Sequence, residues 1–222
     1  MPCLFENKRW QRRKQARPQE LLAAALEQFV ARGFAATRLE DVARLAGVSK
    51  GTLYLYFANK EDLFKAVVRE NMLPLLDEAE QLIDSYQGST ADLFRDTMLS
   101  WWQRIGNTQL SGISKLMIAE AGNFPMLAQF YHDEVIVRGN AMLARMLQRG
   151  VARGEFRALD PHRITNVVVA PMLMLMLSKH SSIICQGEQL VPQEYLESFI
   201  DLFLHGLLSE SVATASVAPK QG

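Results

Sequence analysis

Residues 37–64 read TRLEDVARLAGVSKGTLYLYFANKEDLF, and the spacing of their apolar and turn residues decides the fold. Leu39, Val42, Ala43 and Ala46 recur at i, i+3, i+4 and i+7, the signature of one buried helical face. Thr37, with Glu40 three residues on, has the capping-box spacing and predicts the start of this helix. Gly47 can adopt the left-handed conformation that ends it, and Ser49 can cap a second helix after a turn of a few residues. That second helix, about Lys50 to Phe57, turns Leu53 and Phe57 inward, and Asn59 then caps a longer helix directed towards Asp84. Pro74 interrupts the longer pattern, where its missing N–H and ring clash predict a kink or break near Leu73. Upstream, Pro18 suits a first helical position, with Leu22, Ala25, Leu26 and Phe29 on one face before Gly33.

Helical periodicity continues to the end of the chain, and no stretch alternates as a strand between hairpin turns. Gly88-Ser89-Thr90 marks a connection, after which helices are expected at about 90–106, 109–121, 125–152, 161–180 and 192–209. Asp160 and Pro161 supply a capping residue and a first helical position. The expected fold is all-α with about nine helices: an N-terminal three-helix helix-turn-helix domain and a larger C-terminal helical domain for ligand binding and dimerisation. Its divisions are a basic N-terminal arm at 1–16, the helix-turn-helix domain at 17–64, the second domain at 65–210 and a frayed tail at 211–222.

Charge supports this division. The 222 residues are neutral overall, yet residues 1–60 hold eleven Lys and Arg against five Asp and Glu, so the rest of the chain is acidic by the same margin. A basic N-terminal block suits a polyanion such as nucleic acid. Hydrophobic residues at 49% and charged residues at 22% are ordinary for a soluble globular chain. The longest apolar run, Val167 to Leu177, is too short to span a bilayer, which needs about 20 residues. No secretory signal pattern opens the sequence, and a cytoplasmic location is expected. Cys3 and Cys185 offer neither a disulfide framework nor zinc spacing; they read as ordinary thiols, with a redox role for Cys185 as the alternative.

Two helices joined by a tight turn let the second enter the major groove while the first braces it across the backbone. With Leu53 and Phe57 inward, Gly51 and Leu55 lie on the opposite side, flanked by Thr52 and Tyr54. Gly51 permits close approach, Lys50 and Thr52 can donate to base edges or phosphates, and Leu55 can meet a thymine methyl. Tyr54, Tyr56 and Lys60 can reach phosphates, and Thr37 and Ser49, at the helix starts, complete the candidate DNA-binding set. The arm Lys8 to Arg17 can track phosphates or enter the minor groove, or else serve as a solubilising tail.

The run Gly33, Thr37, Val42, Ala46-Gly47-Val48-Ser49-Lys50-Gly51-Thr52-Leu53-Tyr54, Phe57 and Lys60-Glu61-Asp62-Leu63 resembles the TetR/AcrR family signature. The resemblance implies a homodimeric repressor whose third helix reads DNA and whose C-terminal domain binds a small-molecule inducer. It also implies that the last two long helices pair between subunits as a four-helix bundle. Leu55 departs from the family pattern, which often has an aromatic or polar residue there.

Beyond residue 90 no phosphate loop, nucleophile elbow or paired metal-ligand spacing occurs, so neither an enzyme nor a cofactor is expected. His132-Asp133-Glu134 are adjacent on a helix and point about 100° apart, which suits a solvated face better than a metal site. Nine of the ten methionines follow residue 70, and such side chains suit adaptable apolar sites. Trp101, Met117, Phe130, Met172 and Met176 are the ligand candidates, for a small apolar or amphipathic inducer. Tyr195, Phe199, Ile200, Phe203 and Leu207 are the dimer candidates. Expected partners are therefore double-stranded operator DNA, an inducer and a second copy of the chain. An activator or architectural DNA-binding protein without an inducer pocket is the alternative, and a ligand cavity discriminates the two.

Overall fold

Why the helices stop where they do is legible in their end residues. The computed structural model describes residues 6–180 and 190–208, with side chains from Pro18 onward. Cys3, Cys185, the tail from Ser211 and the side chains of the basic arm lie outside the described residues. In chain order the helices are α1 (Glu6–Ala36), α2 (Leu39–Leu45), α3 (Lys50–Tyr54), α4 (Lys60–Asn71) and α5 (Leu73–Ser85). There follow α6 (Thr90–Trp101), α7 (Ser111–Glu120), α8 (Pro125–Tyr131), α9 (Val137–Ala152), α10 (Pro161–His180) and α11 (Pro192–Leu207). π turns at Trp102–Gly106 and His132–Ile136 prolong α6 and join α8 to α9. With α4 and α5 taken as one broken run, and α8 and α9 as one run through their π turn, these form nine helical runs among the described residues, as the periodicity predicts.

Most local signals act as read. Gly47 has φ 67°, a conformation that disfavours any side chain, and the Ser49 and Asn59 side chains accept from Thr52 and Asp62 N–H at 3.1 and 2.8 Å. The helix before Pro74 breaks at Met72, and Asp160 Oδ1 accepts from His162 N–H at the start of α10. Two signals act differently. Pro18 lies inside α1, because the run from Glu6 to Arg17 is rich in helix-forming Lys, Arg, Gln and Glu and the helix continues through it. Thr37 does not cap α2: Arg38 holds that position without a side-chain bond, and Thr37 is buried.

The described chain divides into two compact units, one made of the residues up to Pro74 with Gly112–Tyr131, the other of Leu75–Ser111 with the residues from His132 onward. In the first unit Phe29, Phe34 and Phe64 meet with ring centroids 5.3–5.7 Å apart, and Phe124 adds an edge contact to Phe34 at 4.7 Å. Leu53, Leu63, Val67 and Val68 extend this core without exposure. The last turns of the 112–131 segment therefore pack with the N-terminal helices, a grouping that no local sequence signal indicates.

The second unit is built around Leu93, Phe94, Met146, Leu147, Leu175, Leu196 and Ile200. Its connection at 86–90 is fastened by Arg149, which donates to the carbonyls of Tyr86 (3.1 Å) and Gly88 (2.9 Å) and to Thr90 Oγ1 (2.6 Å). Charge-assisted bonds to carbonyls at a helix start give this loop one conformation. Among the described residues no helix is long and apolar enough to cross a membrane.

The turn between α2 and α3 offers the simplest check. Gly47→Ala meets no neighbouring atom but must hold a positive φ, so stability should fall by about 1 kcal/mol, read as a shift of the urea midpoint at unchanged slope.

Candidate nucleic-acid interface

The five-residue α3 cannot persist alone, since so short a helix does not repay nucleation. It is held from one side by Leu53, fully buried, and Phe57, 9% exposed. The opposite side carries Gly51, Tyr54, Leu55 and Tyr56, of which Leu55 is 83% exposed. Leu55 N–H donates to Gly51 C=O at 3.2 Å, so Leu55 stands one turn above Gly51 on the same face. A Cβ on Gly51 would have Ser49 Oγ at 3.8 Å as its nearest neighbour, ordinary contact distance. Nothing inside the chain requires glycine there.

The polar groups of α3 are coupled to their surroundings. Lys50 Nζ pairs with Glu40 of α2 and lies 5.7 Å from the Tyr54 ring centroid. Their hydrogen bond holds Lys50 above the usual lysine range and Glu40 below the usual carboxylate range. Thr52 Oγ1 is 2.9 Å from Ser49 Oγ. The sequence sets Glu40 in a capping box with Thr37 and gives no sign of its pairing with Lys50, because a pair ten residues apart on two helices has no periodic signature.

Two candidates are corrected. Lys60 does not point to solvent: its ammonium donates to the carbonyls of Phe34 (2.6 Å), Ala35 (3.0 Å) and Thr37 (3.0 Å) and sits 4.6 Å from the Phe34 ring centroid. These carbonyls are stranded where α1 is interrupted at Gly33, φ 83°, and a cation is what such a terminus attracts. Burial pushes the Lys60 ammonium below the usual lysine range, opposed by Glu120 and Glu61. Thr37 serves the same junction, its hydroxyl facing Gly33 C=O at 2.7 Å and Gln28 C=O at 3.1 Å. Neither side chain is disposed towards a nucleic acid.

The ligand candidates fall in different units. Met117 and Phe130 belong to the first, where Lys65 Nζ and the Arg69 guanidinium lie 5.7 and 5.0 Å from the Phe130 ring centroid; Trp101, Met172 and Met176 belong to the second. Met172 is part of the second core, and Trp101 packs against it half-buried. One turn before Trp101, Thr97 holds a buried hydroxyl oxygen with no hydrogen-bond partner.

The dimer candidates divide by burial, with Tyr195, Phe199 and Phe203 half-buried and two others withdrawn into the core. Ile200 and Leu207 are buried in the second unit, and Phe203 stacks on Phe94 at 5.1 Å with Phe199 at 6.4 Å from the same ring. Tyr195 is half-buried against this core. The face of α11 that faces outward instead bears Ser198 and Leu202, the latter 74% exposed. On neighbouring α10, Val168, Met172, Leu175 and Met176 are buried while Val167, Ala170 and Met174 are exposed, so one apolar stripe of this helix lies uncovered among the described residues.

Residues 21–67 match the family described as bacterial regulatory proteins, tetR family, and residues 86–202 that described as tetracyclin repressor-like, C-terminal domain. The transcriptional repressor KstR2 of Mycolicibacterium smegmatis is 30% identical over 145 residues, 64% of this chain and 68% of that one. The structure of FadR from Bacillus subtilis with stearoyl-CoA superposes with a TM-score of 0.71 at 19% identity, over 85% of this chain and 98% of that one. A SmeT–triclosan complex superposes at 0.74 and 20% identity, over 93% and 96%. The chain is a member of the TetR family of DNA-binding transcriptional regulators.

Lys60→Ala separates the two roles considered for this residue. Unfolding free energy should fall by about 1–3 kcal/mol, while log operator affinity keeps its wild-type slope against log salt. A slope shallower by about one unit would return Lys60 to the phosphate backbone.

Proposed function

We propose that this protein is a ligand-responsive repressor that holds a palindromic operator as a homodimer and leaves it when a small apolar or amphipathic inducer binds the second unit. The observation that carries the DNA-binding part is the outward face of α3: a bare Gly51, an exposed Leu55, and the phenols of Tyr54 and Tyr56 beside it. Gly51 and Leu55 suit the floor of a major groove, with Ser49, Lys50, Thr52 and the two tyrosines at its walls. Lys50 can exchange Glu40 for a phosphate without leaving its position on the helix.

Support for the inducer comes from the relatives, of which one is named a repressor and two were solved with stearoyl-CoA and with triclosan. In this chain Trp101, Met172 and Met176 offer adaptable apolar contact, and the unpartnered Thr97 hydroxyl offers one polar anchor, a combination suited to an amphipathic molecule. The exposed stripe of Val167, Ala170 and Met174 on α10 with Leu202 on α11 is the proposed dimer face. Two such chains place their recognition helices about 34–36 Å apart, one DNA turn. An inducer that prefers another spacing releases the operator by the free energy of that preference.

Footprinting tests the whole reading: an extract of the small molecules released from protein purified out of cells should erase protection of an operator selected by the same protein. Protection that survives every such extract would favour a regulator without an inducer. Leu202→Glu should give monomers by light scattering that protect no operator; a mutant still dimeric would remove this face from the interface.

A further inference from the structure

Two of the hydrogen-bonding side chains of α3 already have partners within the chain. Lys50 is paired with Glu40, and Thr52 with Ser49. Its most outward side chain is an aliphatic one, for Leu55 at 83% is the most exposed large apolar residue among those described. Solvent exposure on this scale contributes nothing to the fold, because Leu53 and Phe57 on the opposite face make the packing contacts of this helix.

We infer that Leu55 determines operator specificity by reading the 5-methyl group of thymine, so that this regulator selects its half-sites by apolar contact as well as by hydrogen bonding. The inference rests on the reading of α3 as the helix that enters the major groove. In that groove the thymine methyl is the apolar group on display, whereas guanine, adenine and cytosine present acceptors and donors that a leucine can only strip of water. The side chain one turn below Leu55 is absent at Gly51, and nothing closer than 3.8 Å would meet an added Cβ there. Leu55 thus stands beside a bare strip of backbone, a shape that lets the isobutyl group lie against a base pair without a neighbouring side chain holding the helix off.

The test uses the full chain and a duplex that the wild-type protein selects from a random-sequence library. Each thymidine in turn is replaced by deoxyuridine, which removes the methyl and leaves every hydrogen-bonding group in place. At one position in each half-site the replacement should weaken wild-type binding about fourfold, the change expected for one lost methyl contact. Leu55→Ala should bind the thymidine duplex more weakly, lose all sensitivity at that position, and melt at the wild-type temperature because the side chain is exposed. A C·G pair there should bind poorly and its 5-methylcytosine form better, which identifies the methyl itself as the group read. Wild-type protein indifferent to every methyl, or a Leu55→Ala variant as sensitive as wild type, overturns the inference. Failure of the wild-type chain to select any sequence is a different result, and overturns the placement of α3 in the groove along with it.

Discussion

Three carbonyl oxygens left without helical partners at the end of α1 govern the DNA-binding module. They arise because the chain leaves the helix at Gly33, and they converge on one ammonium, that of Lys60. Lys60 is the first residue of α4, so the bond ties the end of one long helix to the beginning of the next. Everything between them, α2, the Gly47 turn and α3, is a loop closed at that point. Thr37 adds its hydroxyl to the same junction, and the Phe29, Phe34 and Phe64 rings pack against it. A short α3 thereby acquires a fixed direction that its own few hydrogen bonds could not supply.

Rigidity behind the helix and openness in front of it have the same cause. Leu53 and Phe57 are buried, which at 100° per residue turns Gly51 and Leu55 outward. The outward face is then left with a missing side chain, an aliphatic one and two phenols, while its lysine is steadied by Glu40 from the bracing helix. The proposed reading sets this face against a groove that presents methyl groups between rows of phosphates. In the second unit the same economy operates on α10 and α11, whose inward residues saturate a core and whose outward stripe of Val167, Met174 and Leu202 has no cover among the described residues.

Much of this was legible residue by residue. Gly47, Ser49, Asn59, Asp160 and the break before Pro74 act through backbone groups no more than a few residues away, and such effects survive any tertiary arrangement. The readings that changed concern side chains whose partners are distant. Thr37 has the spacing of a cap and Lys60 the chemistry of a phosphate ligand, yet the carbonyls at the interruption of α1 claim both. Periodicity set Ile200 and Leu207 among the dimer candidates, and could not say that both would instead be buried in the core that holds Phe94.

The sequence by itself determined the succession of helices, the tight turn between the second and third, the family, and which residues of α3 turn away from the core. These follow from apolar period and local hydrogen bonding, which a linear chain encodes directly. Tertiary structure alone decided that Lys60 and Thr37 belong to the scaffold, that Glu40 holds Lys50, that residues 112–131 pack with the N-terminal helices, and which stripe of α10 and α11 is left exposed. Each of those depends on which surfaces meet across many residues of chain, and that is settled by the free energy of packing rather than by spacing.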